Sequence, residues 1–188
     1  ILKEREIPAA FFLPTKYIGL DLDQDWQEIA PFYERSWSGY RGAFEFLTWE
    51  ECRLMAAAGF TIGSHTHTHQ RLTSLHPEAA RQELLLSKQK IETELSQPCR
   101  HFCCPWGKIN RDFHPEVHPP MAQSLGYDSF LTAEEGLSVH GDSSFAIRRT
   151  SCETDFRPAM LRYSLFSPFA APRAQVLKAA AVPATLGN

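Results

Sequence analysis

No stretch of this sequence stays apolar for the roughly 20 residues a membrane-spanning helix needs, so a transmembrane helix is excluded. An excess of one charge sign is also missing. The formal net charge of −3 leaves no electrostatic footprint for nucleic acid and no reason to adhere to an anionic membrane. Cysteine is sparse and unpatterned. Cys52, Cys99, Cys103, Cys104 and Cys152 are odd in number, and their spacing fits neither a zinc ribbon nor a disulfide framework. They read as buried or incidental thiols in a reducing compartment, which leans the localisation toward the cytoplasm. No secretory leader is visible. A cell-envelope location stays open, because the chain opens at Ile1 without Met, in what reads as the end of a helix over Ile1–Glu6. Internal repeats are absent. With 43% hydrophobic and 22% charged residues, the composition is that of an ordinary globular chain, and 188 residues suit one domain around a single core.

What is present alternates between two periodicities. Ile7–Leu13 is a short apolar run stopped by Pro14 and reads as a buried strand. Residues Ile18 to Phe46 form a long irregular connection with scattered aromatics, the pattern of a functional loop or lid carrying short helices. Thr48-Trp49-Glu50-Glu51 fits a capping box, and Gly59 suits the stop of the helix it starts. Phe60–Ser64 reads as the next strand. Pro77 fits the first turn of a second helix, along which Leu84, Lys88, Ile91 and Leu95 recur at helical spacing. Phe102–Pro105 is a short strand, Pro120–Leu125 a third helix stopped by Gly126, and Tyr127–Thr132 and Ser144–Arg148 are further strands. Alternating strands and helices predict an α/β fold with a parallel sheet. After Pro168 the chain turns Ala- and Pro-rich, so the organisation expected is a domain over 1–167 and a weakly ordered tail over 168–188.

The informative motif is Ser64-His65-Thr66-His67-Thr68-His69, which places three imidazoles in five residues at the end of a predicted strand. Imidazole is the commonest protein metal ligand. On an extended segment all three would share a face; in a turn, i and i+4 converge while i+2 points away. Either way two imidazoles reach one ion. Neutral nitrogen ligands suit zinc, and a catalytic zinc keeps one position open for water. No cysteine or carboxylate sits beside the run, so any remaining ligand comes from elsewhere. In parallel α/β folds sites lie at the carboxyl ends of strands. The histidine run, Pro105-Trp106-Gly107 and the residues after Leu13 all fall at such ends and are expected to share one cleft.

These residues resemble the polysaccharide deacetylases, the NodB-like domains of carbohydrate esterase family 4. The likeness is carried by Trp49-Glu50-Glu51, by Gly59–His69 followed by Leu72-Thr73, by Ser87-Lys88, by Phe102–Lys108 and by Phe145–Arg149, and it runs from Ile1 to about Tyr163. His65-Thr66-His67-Thr68-His69 matches the family's His-Ser/Thr-x-x-His motif. The resemblance implies a distorted parallel (β/α) barrel and a divalent metal, most often zinc. It implies hydrolysis of N-acetyl or O-acetyl groups on a polysaccharide or amino-sugar polymer. By motif, His65 and His69 would hold the metal, Thr66 would steady the loop, and His67 would be a non-ligand. The backbone N–H of Trp106, set between Pro105 and Gly107, would stabilise the oxyanion. The family's Thr-Phe-Asp-Asp motif, which supplies a metal carboxylate and the catalytic base, would lie before Ile1 on a first strand. This stretch by itself is therefore expected to be a poor catalyst.

Two other readings use the same residues: a non-catalytic carbohydrate-binding or regulatory relative, and a small-molecule amidohydrolase. Several further residues read as bland. Asp21, Asp23 and Asp25 belong to a solvated loop, and Val139-His140 to a surface turn. His114 and His118 sit in a connection, and Cys103 and Cys104 point to opposite faces. Trp26, Trp37 and Tyr40 are either sugar-stacking aromatics or a satellite core. Arg148 or Arg149 is placed at the mouth of the fold.

Overall fold

The computed structural model describes residues 1–21, 24–29 and 45–149. Four short strands form one parallel sheet in sequence order: β1 (Ala10–Leu13), β2 (Thr61–Ser64), β3 (His101–Cys103) and β4 (Ser129–Leu131). Helices occupy the connections. These are α1 (Trp26–Ile29), α2 (Trp49–Ala57), α3 (Pro77–Leu95) and α4 (His118–Ser124). The register runs Leu13 opposite Ser64, Ser64 opposite Phe102 and Phe102 opposite Phe130, so all four strands end at one rim. Parallel strands in sequential order, with helices in the connections between them, make the wall of a (β/α) architecture.

Local chemistry explains the boundaries. Thr48 Oγ1 accepts from the Glu51 N–H (3.2 Å) and Glu51 Oε2 accepts from the Thr48 N–H (2.8 Å), a reciprocal cap that starts α2. Gly59, at φ +88°, ends it: its N–H reaches Ala56 O, and the Phe60 N–H reaches Met55 O. Pro77 opens α3, whose buried stripe is Ala80, Leu84, Ser87, Ile91 and Leu95. That stripe packs with Phe102, Phe113, Tyr127 and Phe130 into the core. Gly63 is obligatory in β2, because a Cβ there would lie 2.6 Å from the Phe12 ring and 2.8 Å from His101 O.

Two expectations need correction. Ser144–Arg148 is not a strand: Ser144–Ala146 forms a 3₁₀ turn, and Ile147 makes a single parallel bridge to Leu131. The Ser143 hydroxyl captures the Phe145 N–H (3.1 Å) and draws that segment out of the ladder. Ile1–Glu6, by contrast, does close as a helix end does: Glu6 is left-handed (φ +52°), its N–H reaches Lys3 O (3.1 Å), and the Ile7 N–H reaches Leu2 O (3.0 Å). Lys88 is not part of the apolar stripe; its ammonium reaches Cys99 O (2.5 Å) and Glu92 (2.9 Å) and lies over the Tyr127 ring. Trp37, Tyr40, Cys152 and the 168–188 tail lie outside the described residues.

Candidate active site

The shared rim brings three loops together. His65 continues β2, and its N–H donates to Leu13 O (3.0 Å). The chain after β1 then follows the histidine loop, with Thr15 N–H on Thr66 O (3.3 Å) and Lys16 N–H on His67 O (2.9 Å). On the other side, His65 Nδ1 lies 2.6 Å from Cys103 O at the end of β3. A carbonyl can only accept, so Nδ1 carries the proton and Nε2 keeps its lone pair. This partner arrangement is the usual way a protein orients an imidazole ligand.

His65 and His69 sit edge to face with ring centroids 4.8 Å apart. His67 does not join them: its Nδ1 is 2.9 Å from Thr15 Oγ1. The turn that makes this possible is unusual backbone. Thr66 has φ +64° and His69 φ +59°, left-handed values that are rare for a β-branched residue. Fully buried Thr66 holds the turn by accepting the His69 N–H on Oγ1 (2.9 Å). Burial drives His65 from the ordinary 6.5 down to about 4; the hydrogen bond to the Cys103 carbonyl opposes this, and His69 and Arg149 reinforce it to a lesser degree. Burial lowers His69 as well. Both rings are therefore neutral at pH 7.

Pro105, Trp106 and Gly107 close the third side. The Gly107 N–H donates to Pro105 O (2.6 Å) across Trp106, whose φ is +60°, the rare and strained sense of a γ-turn. Among the described residues nothing accepts from the Trp106 N–H. Gly107, at φ +72°, has no room for a Cβ, which would fall 2.6 Å from Ala133 N. The Trp106 indole is 53% exposed and meets the His69 ring at 5.4 Å. Arg71 lies over the indole and is tied to the fully buried Asp112 (3.3 Å), which also takes Arg111 and the Lys108 N–H.

The outlying candidates sort by position. Arg149, not Arg148, is near enough for its charge to act on His65, and its Nε donates to Thr132 O. Asp21 and Asp25 serve the turn into α1, where they accept the Gln24 and Asp21 N–H groups. Val139-His140 is an exposed turn, and His118 Nδ1 accepts the His114 N–H. Burial raises the Cys103 thiol to about 11 and the Cys104 thiol further, so neither is a thiolate at neutral pH.

A sequence profile of the polysaccharide deacetylases matches residues 1–128. The chain belongs to that family. A curated relative, "Putative polysaccharide deacetylase YxkH" of Bacillus subtilis (strain 168), is 29% identical over 103 residues, which cover 55% of this chain and 35% of that protein. Among solved structures, Streptococcus pyogenes deacetylase PplD in complex with acetate superposes with a TM-score of 0.64 at 18% identity, over 87% of this chain and 61% of that one. IcaB from Ammonifex degensii gives the same TM-score and identity over 89% and 64%. The chain thus spans about a third of the curated relative's length and about three fifths of each of these structures.

In this polysaccharide deacetylase family member, the two neutral imidazoles fit a divalent cation as part of its ligand set. His65, with one ring nitrogen fixed by the Cys103 carbonyl, leaves the other free to donate its lone pair. Among the described residues no cluster of three or more His, Cys, Asp or Glu side chains could hold the ion alone. Residues the motif reading missed carry the support. Glu83 on α3 accepts the N–H groups of His67 and Thr68, and Arg71 and Asp112 brace Trp106. For Glu83 the one available signal was helical phase: it adjoins Leu84 and precedes Ser87 by one turn, beside the buried stripe.

Proposed function

We propose that this protein hydrolyses acetyl groups, N- or O-linked, from a polysaccharide or amino-sugar polymer, using a divalent cation, zinc, held in part by His65 and His69. The reading is carried by one observation: two neutral imidazoles 4.8 Å apart, one fixed in the Nε2-accepting tautomer, lie beside a turn whose N–H is unclaimed among the described residues. When bound, the cation supplies the positive charge that polarises an acyl carbonyl and acidifies water. The residues of this stretch supply part of what remains. Thr66 fixes the turn, and burial keeps His65 and His69 unprotonated and able to ligate. The Trp106 N–H, held by its γ-turn, donates to oxygen as charge develops on it in the tetrahedral intermediate. The exposed indole offers an apolar face at the rim, which suits a polymer lying across the site better than a small molecule enclosed by it.

Metal analysis of wild type, His65→Ala, His67→Ala and His69→Ala tests the assignment, together with zinc-dependent release of acetate from chitin oligomers and an acetylated exopolysaccharide. The first and third substitutions are expected to lose far more metal and activity than His67→Ala. Equal losses at all three positions would refute the ligand pair.

A further inference from the structure

We infer that Glu83, fourteen positions beyond His69 and on a different element, is a positioning residue that sets the spacing of the His65/His69 pair. The inference rests on reading that pair as the metal-holding one. Between the left-handed residues Thr66 and His69, the successive N–H groups of His67 and Thr68 point the same way, a concavity suited to an anion. The anion is the Glu83 side chain: Oε2 accepts both N–H groups, at 2.9 and 2.7 Å, and Oε1 accepts the Thr68 hydroxyl at 2.8 Å. One turn further along α3, Ser87 Oγ accepts from Ser64 Oγ at 2.8 Å, on the residue just before His65. One helix face therefore grips the loop at its start and at its middle.

The opposite side of the loop is held through other groups. Lys16 N–H takes His67 O, the Tyr17 hydroxyl takes Thr68 O, and Thr15 meets the His67 ring. Those contacts occupy the loop's carbonyls and a side chain. Among the described residues, only Glu83 satisfies the two central N–H donors. Without it both must turn to water, and the strain at Thr66 and His69 is free to relax. His65 and His69 are the two ends of this arc, so its curvature fixes the distance between their rings.

Glu83→Gln, Glu83→Asp and Glu83→Ala separate reach from charge. A Gln oxygen can accept both N–H groups while the Thr68 hydroxyl rotates to accept from the amide; Asp keeps the charge but is one methylene short. Amide hydrogen exchange at His67 and Thr68 in chelator-treated protein reads the clamp without metal, and competition against a chromophoric chelator reads zinc affinity. Global unfolding shows that each variant is folded. Exchange is expected to quicken at least tenfold in Glu83→Ala and Glu83→Asp and to stay near wild type in Glu83→Gln. Zinc affinity is expected to fall about 10–100-fold in the first two, the range seen when an orienting partner of a ligand is removed. Wild-type affinity in Glu83→Ala, or a loss in Glu83→Gln equal to that in Glu83→Asp, overturns the inference. Should Glu83→Ala fail to fold, the Gln/Asp pair decides alone, with binding in Gln equal to or weaker than that in Asp as the refuting result. A wild-type protein that binds no zinc removes the metal reading instead; the exchange arm then judges the clamp, and unchanged exchange in Glu83→Asp overturns it.

Discussion

Acidification of the zinc-free protein should weaken it through His65. Burial places the His65 imidazole at about 4 in the folded chain, against 6.5 when it is exposed. Between those values the unfolded chain binds a proton on this ring and the native chain does not. Stability therefore rises with pH across the window, by up to about 1.4 kcal/mol per pH unit for one proton. Over the roughly 2.5 units separating the two values the total is about 3 kcal/mol. The contribution is complete above pH 6.5 and is lost as the pH falls toward 4. Other groups titrate in the same range: burial lowers His69 and His118 too, and hydrogen bonds lower the carboxyls of Glu51 and Glu94. A difference experiment isolates the one ring. His65→Asn retains a donor for Cys103 O and cannot take the proton. Urea unfolding of both proteins in chelator at pH 4.5, 5.5, 6.5 and 7.5 is expected to give wild type the steeper decline, by about 2–3 kcal/mol across the series. Parallel curves would mean that the ring is not shielded from water and that its neutral state has another origin.

Two substitutions probe the loops around that ring. Gly107→Ala should cost about 1.5–3.5 kcal/mol, the sum of about 1–2 for a left-handed alanine and about 0.5–1.5 for the bond from Ala133 N–H to Gly107 O that the new Cβ displaces. Gly59→Ala has open space at a similar φ and should show only the first part, so equal losses in urea unfolding would count against the clash. Asp112→Ala should cost about 2–3 kcal/mol, because it removes charge-assisted bonds from Arg71, Arg111 and the Lys108 N–H while both guanidinium groups stay half in water. A loss below about 1 kcal/mol would show that the 105–113 loop is held by other contacts.

The elements that could be read from the sequence are those whose determinants are neighbours in the chain. The Thr48/Glu51 cap, Gly59 and Pro77 each act within one helical turn, and each marks its boundary. The histidine run was legible only in part: i and i+4 meet when the segment turns, but the turn itself is held by Glu83 and the residues after β1, which lie far off in the chain. Strand lengths were not legible. The apolar run Ile7–Leu13 pairs only from Ala10, because the Ile7 N–H is already engaged by Leu2 O and Pro8 has no donor to give. Alternation at Phe145 and Ile147 resembled a strand, yet serine hydroxyls at 143 and 138 take the N–H groups of Phe145 and Arg148. Glu83 and Asp112 escaped motif reasoning because a carboxylate on a helix or in a loop looks solvated until the fold brings backbone donors to it.

Among the described residues six non-glycine positions have positive φ, and half of them, namely Thr66, His69 and Trp106, form the candidate site itself. Relieving a left-handed residue by glycine is worth about 1–2 kcal/mol. A library selected for heat resistance would therefore favour glycine or asparagine at 66, 69 and 106. Each replacement would remove a hydroxyl, an imidazole or an indole from the rim. Selection for durability and selection for chemistry pull in opposite directions at these three positions and need not conflict elsewhere. A more robust variant of this protein is best sought with 66, 69 and 106 held fixed and the helices α2 and α3 left free to vary on their exposed faces.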